Sequence, residues 1–358
     1  MTENAENLDY VDVVVVGGGA AGLSGAVTLA RARRSVVVVD SGEPRNGPAS
    51  GVHGLLSRDG IAPGELLRAG REEAAAYGGR VIADRVVSAG RDGDGFAVAT
   101  AGGRRFRARR LLVATGLVDR LPDLDGLRER WGRDVLHCPY CHGWEVRDRP
   151  IGVLATGPAA VHQALLFRQL SDRVTLFRHT GGDLDEEEWE RLAARGISVV
   201  DGEVAGLEIE DDRLVGVRLA SGPRVPVAAL AVAPRLEARD EALTGLGLTV
   251  VEHPSAIGDQ VGADASGRTA VPGVWVAGNV ADVTDGVVGA AAAGVRAAAA
   301  INADLVAADT DAALARRRAG HSATAFTPEA EAALCGRVMG DRRHGLDGVP
   351  ALGAPRQG

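Results

Sequence analysis

The sequence predicts an α/β protein built from two Rossmann-like dinucleotide-binding domains, each a three-layer ββα fold, with the first domain discontinuous. Two observations carry this prediction. A strand, a glycine-containing turn, a helix and a second strand follow one another twice, starting at Val11 and again at Ile151. Near the end of the chain, a strand at 274–277 leads into an alanine-rich helix at about 286–307, which should return to the first domain. A length of 358 residues suits two domains.

The first pattern opens with Val11–Val16, an apolar run of the length that is typical of a buried strand. A helix to about Arg33 follows, and then a strand at Val36–Val39 that ends in Asp40. Beyond this strand the pattern predicts a helix at 63–77 and short strands at 80–88, 96–100, 104–107 and 111–114.

The second pattern begins with a strand at Ile151–Leu154, continues as a helix to about Leu170 and returns as a strand at Arg173–Phe177. Short strands are predicted at 198–200, 204–209, 214–219 and 230–232. Beyond Thr310 we expect an Arg-rich linker, a helix at 328–339 and a loose Gly/Pro-rich end. These elements predict a discontinuous cofactor domain at 1–118 and 245–310, a second dinucleotide domain at 119–244 and a C-terminal extension at 311–358.

The composition excludes several classes of protein. The chain has no lysine, so all 40 basic residues are Arg, which rules out a Walker-A phosphate lysine and a Schiff-base lysine. A net charge of −8 gives no electrostatic footprint for nucleic acid or anionic lipid. No apolar run approaches the roughly 20 residues of a membrane span, and the acidic first residues do not form a signal peptide. We therefore expect a cytoplasmic protein with no nucleic-acid or membrane partner.

The glycine motif Gly17-x-Gly19-x-x-Gly22 lies between the first predicted strand and helix, and Asp40 follows it by eighteen residues. The glycines let backbone N–H groups approach a pyrophosphate at the helix N-terminus, and the acid can accept a hydrogen bond from a ribose hydroxyl. Two further segments fit the same dinucleotide, Ala114-Thr115-Gly116 at a strand end and Gly278-Asn279 before a helix. For each segment the alternative is an ordinary turn.

A second motif, Cys138-Pro139-Tyr140-Cys141, is flanked by His137 and His142. A thiolate beside an imidazole or at a helix N-terminus has a lowered pKa and is a competent nucleophile, so the motif is typical of a redox dithiol. Half of a zinc site and a pair of inert buried thiols are the alternatives. Zinc needs four ligands, and Cys335 is nearly 200 residues away without a second paired motif, so no metal is predicted.

Together these motifs resemble, up to about residue 309, the low-molecular-weight thioredoxin reductases among the FAD-dependent pyridine nucleotide-disulfide oxidoreductases. The resemblance implies a thioredoxin reductase-like fold, FAD as the cofactor, a homodimer, and Cys138 and Cys141 as the redox pair. The family has Gly-Asp where this chain has Gly278-Asn279, and asparagine can still hydrogen-bond a ribityl hydroxyl. The residues that the resemblance places around FAD are Gly17, Gly19, Ala20, Ala21, Gly22, Asp40, Ser41, Arg45, Asn46, His53, Thr115, Gly116, Gly278, Asn279, Val287 and Val288.

The second glycine turn departs from that family's pattern. Relatives that use NADPH have Gly-x-Gly-x-x-Ala in this turn and arginines after the next strand that hold the 2′-phosphate. Here Ala155 replaces the first glycine, and Pro158 removes a helix N–H, although proline is common in the first turn of a helix. After the strand the chain reads Arg178-His179-Thr180, followed by six acids within 183–190. Neither segment supplies the arginine pair that a 2′-phosphate requires.

The segment His137–Glu145, with Arg45-Asn46 and His53-Gly54 upstream, is similar to one branch of this family. It resembles the FAD-dependent dithiol oxidases that close disulfides in holomycin, gliotoxin and romidepsin biosynthesis. Those enzymes pass electrons from a substrate dithiol through the enzyme disulfide and the flavin to O2, without NADPH. The resemblance therefore implies a small-molecule dithiol and O2 as partners, with H2O2 as product. The alternatives are an NADPH- or NADH-dependent thioredoxin reductase-like enzyme and a flavin-binding redox sensor without turnover.

The same resemblance assigns Cys138 to the mixed disulfide with the substrate and Cys141 to the position against the flavin. Oxidation of a dithiol also releases protons. His137 and His142 are the side chains within one residue of the pair that titrate near neutrality, and we predict that they act jointly as the base. The alternative is that one of them caps a helix or hydrogen-bonds Glu145.

Overall fold

The structure, a computed structural model, describes residues 8–239, 241–319 and 327–339. The chain divides into two compact units, Met1–Asn302 and Ala303–Gly358. The strands of the described part are β1 (Leu8–Val16), β2 (Val36–Asp40), β3 (Arg80–Ala83), β4 (Val86–Asp92), β5 (Gly95–Thr100), β6 (Arg105–Val113), β7 (Leu117–Arg120), β8 (Val135–Leu136), β9 (Ile151–Leu154), β10 (Val174–Phe177), β11 (Ser198–Val200), β12 (Val204–Glu210), β13 (Arg213–Leu219), β14 (Arg224–Val225), β15 (Ala229–Val232), β16 (Arg235–Ala238), β17 (Val250–Glu252), β18 (Gly258–Val261) and β19 (Val274–Val276). The α-helices are α1 (Ala20–Arg31), α2 (Pro63–Ala76), α3 (Pro139–His142), α4 (Ala160–Phe167), α5 (Glu186–Ala194), α6 (Val287–Ala319) and α7 (Pro328–Met339).

The first sheet of the larger unit has the order β3-β2-β1-β6-β5-β4, and β19 pairs with β6. The strands β3, β2, β1, β6 and β19 run parallel, whereas β4 and β5 are antiparallel additions. Val13, Val14 and Val15 in β1 are fully buried, which is typical of a parallel strand covered on both faces. This sheet therefore combines an early segment of the chain with the late strand β19, and the limits predicted for the domains remain predictions.

Two boundaries in this sheet differ from the sequence prediction. The strands predicted at 104–107 and 111–114 are the single strand β6, whose first half pairs with β5 and whose second half pairs with β19. The strand predicted at 80–88 is instead divided into β3 and β4 around Asp84 and Arg85. Asp84 breaks the strand because its carboxylate accepts hydrogen bonds from the N–H groups of Arg85 and Gly102.

The second sheet of this unit is parallel throughout, in the order β11-β10-β9-β15-β8. The strand β9 lies at its centre and is buried along its whole length. A three-stranded antiparallel sheet, β12-β13-β14, and a four-stranded sheet, β17-β18-β16-β7, complete the unit. The two parallel sheets with their helices confirm the predicted α/β fold class with Rossmann-type sheets.

The smaller unit contains, in its described part, the end of α6 and the helix α7. The sequence prediction ended the first of these helices near residue 307 and made the following Arg-rich segment a linker, which was wrong because α6 continues to Ala319. Alanine, leucine and arginine are strong helix formers, and no glycine or proline interrupts the segment before Gly320. The predicted helix at 328–339 is confirmed as α7, and the predicted loose end lies outside the described residues.

In the described part of the chain, α6 is the one helix that is long and apolar enough to cross a membrane. Four of its residues in the larger unit, Ala290, Ala297, Ala298 and Ile301, are buried in the protein. A core helix meets the same criteria of length and composition, so these two properties are weak evidence for a membrane span.

A buried ion pair lies directly before β8, an edge strand of the second parallel sheet. Arg130 is 5% exposed and donates two hydrogen bonds to the carboxylate of Asp134, at 2.8 and 2.5 Å. The Asp134 carboxylate also accepts from the Leu214 N–H at 2.9 Å. Burial alone would raise the pKa of Asp134, but the hydrogen bonds from Arg130 and Leu214 outweigh burial and lower the pKa.

We expect Asp134→Asn to destabilise the protein by about 1.5–3 kcal/mol, because the substitution removes the charge-assisted hydrogen bonds between Arg130 and Asp134 and leaves Arg130 only its contacts with the exposed Asp212. Urea unfolding measures the effect, and replacement of the exposed Arg68 of the Arg68–Glu72 pair by alanine is the control, with a change below about 1 kcal/mol. Since the folded-state pKa of Asp134 is lowered, its stabilisation is present above the unfolded value of about 4 and is lost as pH falls through the folded value. Wild-type and variant stabilities should therefore converge in acid, and a constant difference would contradict this.

Candidate active site

The predicted glycine turn connects β1 to α1 and is held by close backbone contacts. Gly17 has φ +105°, and a Cβ there would lie 2.3 Å from the Ala114 carbonyl oxygen. A Cβ on Gly22 would lie 1.9 Å from the Gly17 carbonyl oxygen. Both positions therefore require glycine. Gly19 is the N-cap of α1, and the space beside its Cα is open, so the first N–H groups of α1 border an open surface.

The other predicted cofactor segments meet this same turn. The Gly18 N–H donates to Asp40 Oδ1 at 3.1 Å, which places the acid at the end of β2 beside the glycines. A Cβ on Gly278 would lie 2.9 Å from the Ala21 Cβ, so the Gly278-Asn279 segment lies against the start of α1. The structure thus brings the glycine turn and Asp40 together with a segment that lies more than 200 residues later in the chain.

Thr115 provides the test of whether these residues fit a bound dinucleotide. Its Oγ1 is buried, and no hydrogen-bond partner for it exists in the described part of the chain. Buried hydroxyl groups normally have a partner, so this atom marks a position where a polar ligand atom would be satisfied. With the open helix start and Asp40, the arrangement fits a dinucleotide such as FAD.

The remaining predicted cofactor residues occupy more varied positions. Ser41 is exposed at the end of β2, and Asn46 is half-buried in the turn that follows Arg45. Val287 and Val288 begin α6, and Val288 is 55% exposed. None of these four side chains has a contact that assigns it a role, and their involvement stays a prediction.

Arg45 links the predicted cofactor residues to the predicted redox pair. Its guanidinium donates two hydrogen bonds to the Asp119 carboxylate, at 2.9 and 2.7 Å, and a third to Asn279 Oδ1 at 3.3 Å. The positive charge of Arg45 makes the smallest of the contributions that lower the pKa of Cys138, and it opposes the rise in the pKa of Cys141 that its pairing with Cys138 causes. Sequence reasoning missed Asp119, for which the available signal was its place just after Thr115-Gly116.

Asn279 uses both ends of its amide. Its Oδ1 accepts from Arg45, and its Nδ2 donates to the backbone carbonyls of Asp282 and Asp285, at 3.1 and 2.8 Å. An aspartate at this position could not donate to two carbonyl oxygens. These contacts explain why Gly-Asn is compatible with this loop.

The cysteine motif forms the start of the short helix α3. Cys138 is its N-cap, Pro139 is the first helical residue, and the Cys138 Sγ accepts from the Cys141 N–H at 3.2 Å. Both thiols are free and half-buried. A hydrogen bond from the Cys141 thiol, aided by backbone N–H groups and by Arg45, lowers the pKa of Cys138 to about 7 against the effect of burial. The same thiol pairing raises the pKa of Cys141, so Cys138 is the thiol of the reduced pair that ionises first.

The two flanking histidines are both suited to accept a proton at neutral pH. Burial lowers the pKa of His137, and the charge of Arg45 adds to this effect while Asp119 opposes it. The His137 carbonyl accepts from Gln163 Nε2 at 2.8 Å, which fixes the backbone beside Cys138. Burial also lowers the pKa of His142, whose Nε2 is buried and has no hydrogen-bond partner in the described residues. A neutral imidazole with a free nitrogen is a competent base.

His53, which the resemblance placed near the cofactor, lies beside Glu145 and therefore near the cysteine helix. Its Nε2 is 3.4 Å from Glu145 Oε1, and its Nδ1 is 3.3 Å from Asp59 Oδ2. The charges of both Glu145 and His53 act on His142. Sequence reasoning considered Glu145 only as a hydrogen-bond partner of a histidine and missed Asp59, because carboxylates at surface positions carry no local signal of a tertiary contact.

Two aromatic side chains beside the thiols are exposed. Tyr140 is 80% exposed and Trp144 is 65% exposed, and the guanidinium carbon of Arg147 lies 4.0 Å from the centroid of the Trp144 ring. The surface next to the dithiol is therefore apolar and aromatic, which suits contact with a largely apolar molecule.

The second glycine turn is poorly arranged for a 2′-phosphate. Ala155 is buried after β9, and its Cβ fills the space that faces Gly181. Arg178 donates to Asp201 at 2.8 Å and also to Asp183, so its charge is already matched by two carboxylates. His179 Nδ1 accepts from the Val204 N–H at 3.1 Å. No arginine in this segment is left to hold a phosphate by paired hydrogen bonds, as the sequence predicted.

Comparison with known proteins agrees with this geometry. The family model described as pyridine nucleotide-disulphide oxidoreductase matches residues 11–298. The chain is 29% identical over 316 residues to thioredoxin reductase sirT of Leptosphaeria maculans, covering 83% of this chain and 95% of that protein. It is also 35% identical over 188 residues to thioredoxin reductase tcpT of Claviceps purpurea. That match covers 50% of this chain and 59% of tcpT, so this chain spans less than two thirds of the length of tcpT.

Among solved structures, the crystal structure of HlmI superposes with a TM-score of 0.81 and 47% identity, covering 90% of this chain and 99% of HlmI. These similarities confirm the predicted resemblance to thioredoxin reductase-like flavoproteins and the predicted fold. They also show that the chain is an enzyme of the oxidoreductase class.

Proposed function

Because the chain belongs to the pyridine nucleotide-disulphide oxidoreductase family, we propose that it is an FAD-dependent dithiol oxidase. In this proposal, Cys138 and Cys141 form the redox disulfide, a small-molecule dithiol of the holomycin or gliotoxin type is the substrate, and O2 is the final acceptor that gives H2O2. The observation that carries it is the pair of free thiols at the start of α3, where the Cys138 Sγ accepts from the Cys141 N–H, together with Arg45, whose guanidinium bonds Asn279 in the cofactor segments.

The segments that would hold FAD are the glycine turn, Asp40, Thr115-Gly116 and Gly278-Asn279. When bound, FAD would accept the electron pair of the enzyme dithiol and pass it to O2. The chain's own contribution is to fix the thiols at the N-terminus of α3, with Arg45 as a nearby positive charge. We also propose the domain limits 1–118 with 245–310 and 119–244, a homodimer and a cytoplasmic location.

The exchange between substrate and enzyme balances without any further reactant. A substrate thiolate attacks Cys138 Sγ, the Cys138–Cys141 bond breaks, and Cys141 leaves as a thiolate. The second substrate thiolate then attacks the sulfur of the first, the mixed disulfide breaks, and Cys138 leaves. The substrate gives up two electrons and two protons. Whenever the reduced pair holds Cys138 as the thiolate, one of these protons stays on Cys141 and a base takes up the other.

His142 is the better placed of the two predicted bases in this proposal. Its Nε2 has no partner in the described residues, and its lowered pKa keeps the ring neutral at neutral pH. The carbonyl of His137 is bound by Gln163, and the positive charge of Arg45 opposes protonation of the His137 ring. His137 would then mainly position Cys138.

A second candidate function is an NADPH- or NADH-dependent disulfide reductase. It is favoured by the intact parallel sheet around β9, the type of sheet that binds a nicotinamide dinucleotide. Against it stand the methyl group of Ala155 and the neutralised Arg178. Each charge-assisted hydrogen bond to a phosphate contributes about 1.5–3 kcal/mol, so the loss of two would weaken NADPH binding by about 10² to 10⁴.

The test is an anaerobic titration of the flavoprotein with NADPH, NADH and dithiothreitol in parallel. We expect dithiothreitol to bleach the flavin, and micromolar NADPH or NADH to cause negligible reduction. In air, dithiothreitol alone should support turnover with one H2O2 for each disulfide formed. Rapid bleaching by NADPH would contradict the oxidase proposal and favour the reductase, and the absence of H2O2 with any dithiol would favour a sensor without turnover.

A further inference from the structure

The helix that carries the thiols is too short to hold its own shape. α3 has four residues, Pro139–His142, which is about one turn. A single helical turn fixes several backbone dihedrals for about one hydrogen bond, so in water it is unstable without tertiary contacts. The position of Cys138, the N-cap of this turn, therefore depends on what holds the two ends of α3 in place.

Both ends of α3 contact α4 and the turn that follows it. At the C-terminal end, a Cβ on Gly143 would lie 2.2 Å from Leu170 Cδ1, so the backbone packs directly on that side chain. At the N-terminal end, Gln163 Nε2 donates a hydrogen bond of 2.8 Å to the His137 carbonyl. The second contact is directional, and it acts on the peptide group that joins His137 to Cys138. Because a carbonyl oxygen can only accept, the Gln163 amide must present Nε2 to it.

Gln163 is an unusual residue for its surroundings. It is 7% exposed. The other buried residues of α4 are all apolar, namely Ala160, Val161, Ala164 and Phe167. The Gln163 Oε1 is buried and has no hydrogen-bond partner among the described residues, and an unpaired buried oxygen destabilises a fold. A methionine of similar volume would suit this position better for stability alone, so the amide is present at a cost, and what it supplies is the hydrogen bond to His137.

This hydrogen bond fixes the backbone geometry that the thiol chemistry uses. The Cys138 Sγ accepts from the Cys141 N–H at 3.2 Å while Cys138 keeps its extended N-cap conformation, with φ −95° and ψ 122°. A His137 carbonyl held by Gln163 opposes rotation of the peptide group just before Cys138. Without the amide, that carbonyl would turn towards water to regain a partner, and the sulfur would leave the N–H groups at the start of α3.

We propose that Gln163 is a positioning residue of the redox site, which holds the Cys138 sulfur at the N-terminus of α3. This inference rests on the proposed role of Cys138 and Cys141 as the redox pair. Cys138 is the sulfur that the substrate attacks first and that leaves last, so one fixed position serves both steps. Gln163 acts through the His137 carbonyl, since its hydrogen bond in the described part of the chain is to that carbonyl and not to a sulfur atom.

The test measures the reactivity of Cys138 towards iodoacetamide from pH 5.5 to 10, in the fully reduced, desalted holoenzyme without O2. Gln163→Met keeps the volume and removes the amide, whereas Gln163→Asn keeps an amide that is one methylene shorter. Gln169→Met, at an exposed glutamine just beyond α4, is the matched control. All variants carry Cys335→Ser, because Cys335 is an exposed third thiol, and fragment ions in mass spectrometry distinguish alkylated Cys138 from alkylated Cys141. Flavin content and melting temperature are measured for each protein.

At pH 7 we expect Cys138 to react about 5-fold more slowly in both Gln163 variants than in the parent. The reason is that the pKa of Cys138 rises from about 7 towards the ordinary thiol value of about 8.5, once the sulfur no longer faces the Cys141 thiol and the N–H groups of α3. At pH 10, above both values, the rates should converge. The melting temperature of Gln163→Met should not fall, because the unpaired Oε1 is removed, and Gln169→Met should match the parent throughout.

An unchanged pH profile of Cys138 alkylation in the Gln163 variants would overturn this assignment. A lower melting temperature with rates reduced equally at pH 7 and pH 10 would also overturn it, since the amide would then serve only the stability of the fold. If Gln163→Met does not fold, the profile of Gln163→Asn decides by the same criterion. The alkylation needs neither substrate nor O2, so a shifted profile without H2O2 formation from any dithiol would uphold the role of Gln163 and reject the oxidase proposal.

Discussion

Replacement of Cys138 with serine is expected to abolish turnover with a dithiol and to produce a long-wavelength charge-transfer band. A single thiol cannot form the enzyme disulfide, so either cysteine variant loses turnover completely. In Cys138→Ser the remaining thiol, Cys141, is freed from the pairing that raises its pKa, and the thiolate can interact with the flavin. The band should be absent in Cys141→Ser. The reverse pattern in the absorption spectrum would exchange the roles of the two thiols.

The hydrogen bond within the pair gives a second readout of the same assignment. The Cys141 thiol is the largest cause of the lowered pKa of Cys138, near 7. Cys141→Ala removes this donor, so the pKa of Cys138 should rise towards the ordinary thiol value of about 8.5, whereas Cys141→Ser keeps a hydroxyl donor and should show a smaller rise. The pH dependence of iodoacetamide alkylation measures both values. Cys335→Ser is the control, since Cys335 is exposed on α7, and its turnover should equal that of the wild type.

The second large effect is expected for the histidines. A double His137→Asn/His142→Asn variant should lose about 10² to 10⁴ in turnover, the usual contribution of general acid–base catalysis. Most of the loss should appear already in the single His142→Asn variant, because the unpartnered Nε2 belongs to His142. Burial lowers the pKa of both rings, so wild-type turnover should fall only below the ordinary histidine value of about 6.5.

The pH profile of turnover separates a base from a structural residue. In each single variant the fall in turnover at low pH should weaken in proportion to the loss of rate. His162→Gln, on the exposed side of α4, is the matched histidine control. An unchanged rate and profile in the double variant would place the base on another side chain.

Much of the fold could be predicted from the sequence, because the long elements have strong local signals. The valine-rich strands β1 and β2, the glycine turn between them and the helix α7 follow from apolar runs, glycine spacing and helix-forming residues. The strands β7, β8, β14, β16, β17 and β18 were missed, since none of them contains more than two consecutive apolar residues with strong strand propensity, whereas the equally short β9 and β15 are buried along their whole length. β7, for example, pairs with β16, more than 100 residues later in the chain. Pairing at that distance leaves no local pattern.

The candidate site was predictable to a similar extent. The glycine motif, the cysteine pair and the histidines beside it were recognisable, because their spacing is typical of dinucleotide binding and of a redox dithiol. The partners of Arg45 and His53 were not recognisable. Arg45 and Asp119 are 74 residues apart in the chain, and their contact is produced by the fold. Nothing in the sequence distinguishes an acidic residue that makes a tertiary contact from one that contacts only solvent.

The amide at position 279 has a consequence for the energetics of electron transfer. The side chains of Arg45, Asp119 and Asn279 together carry no net charge, whereas an aspartate in place of Asn279 would leave one negative charge at the cofactor segments. A negative charge makes the addition of electrons to a nearby group less favourable. The asparagine therefore favours a higher reduction potential for a flavin held in these segments, and a higher potential directs electrons from thiols to the flavin rather than the reverse.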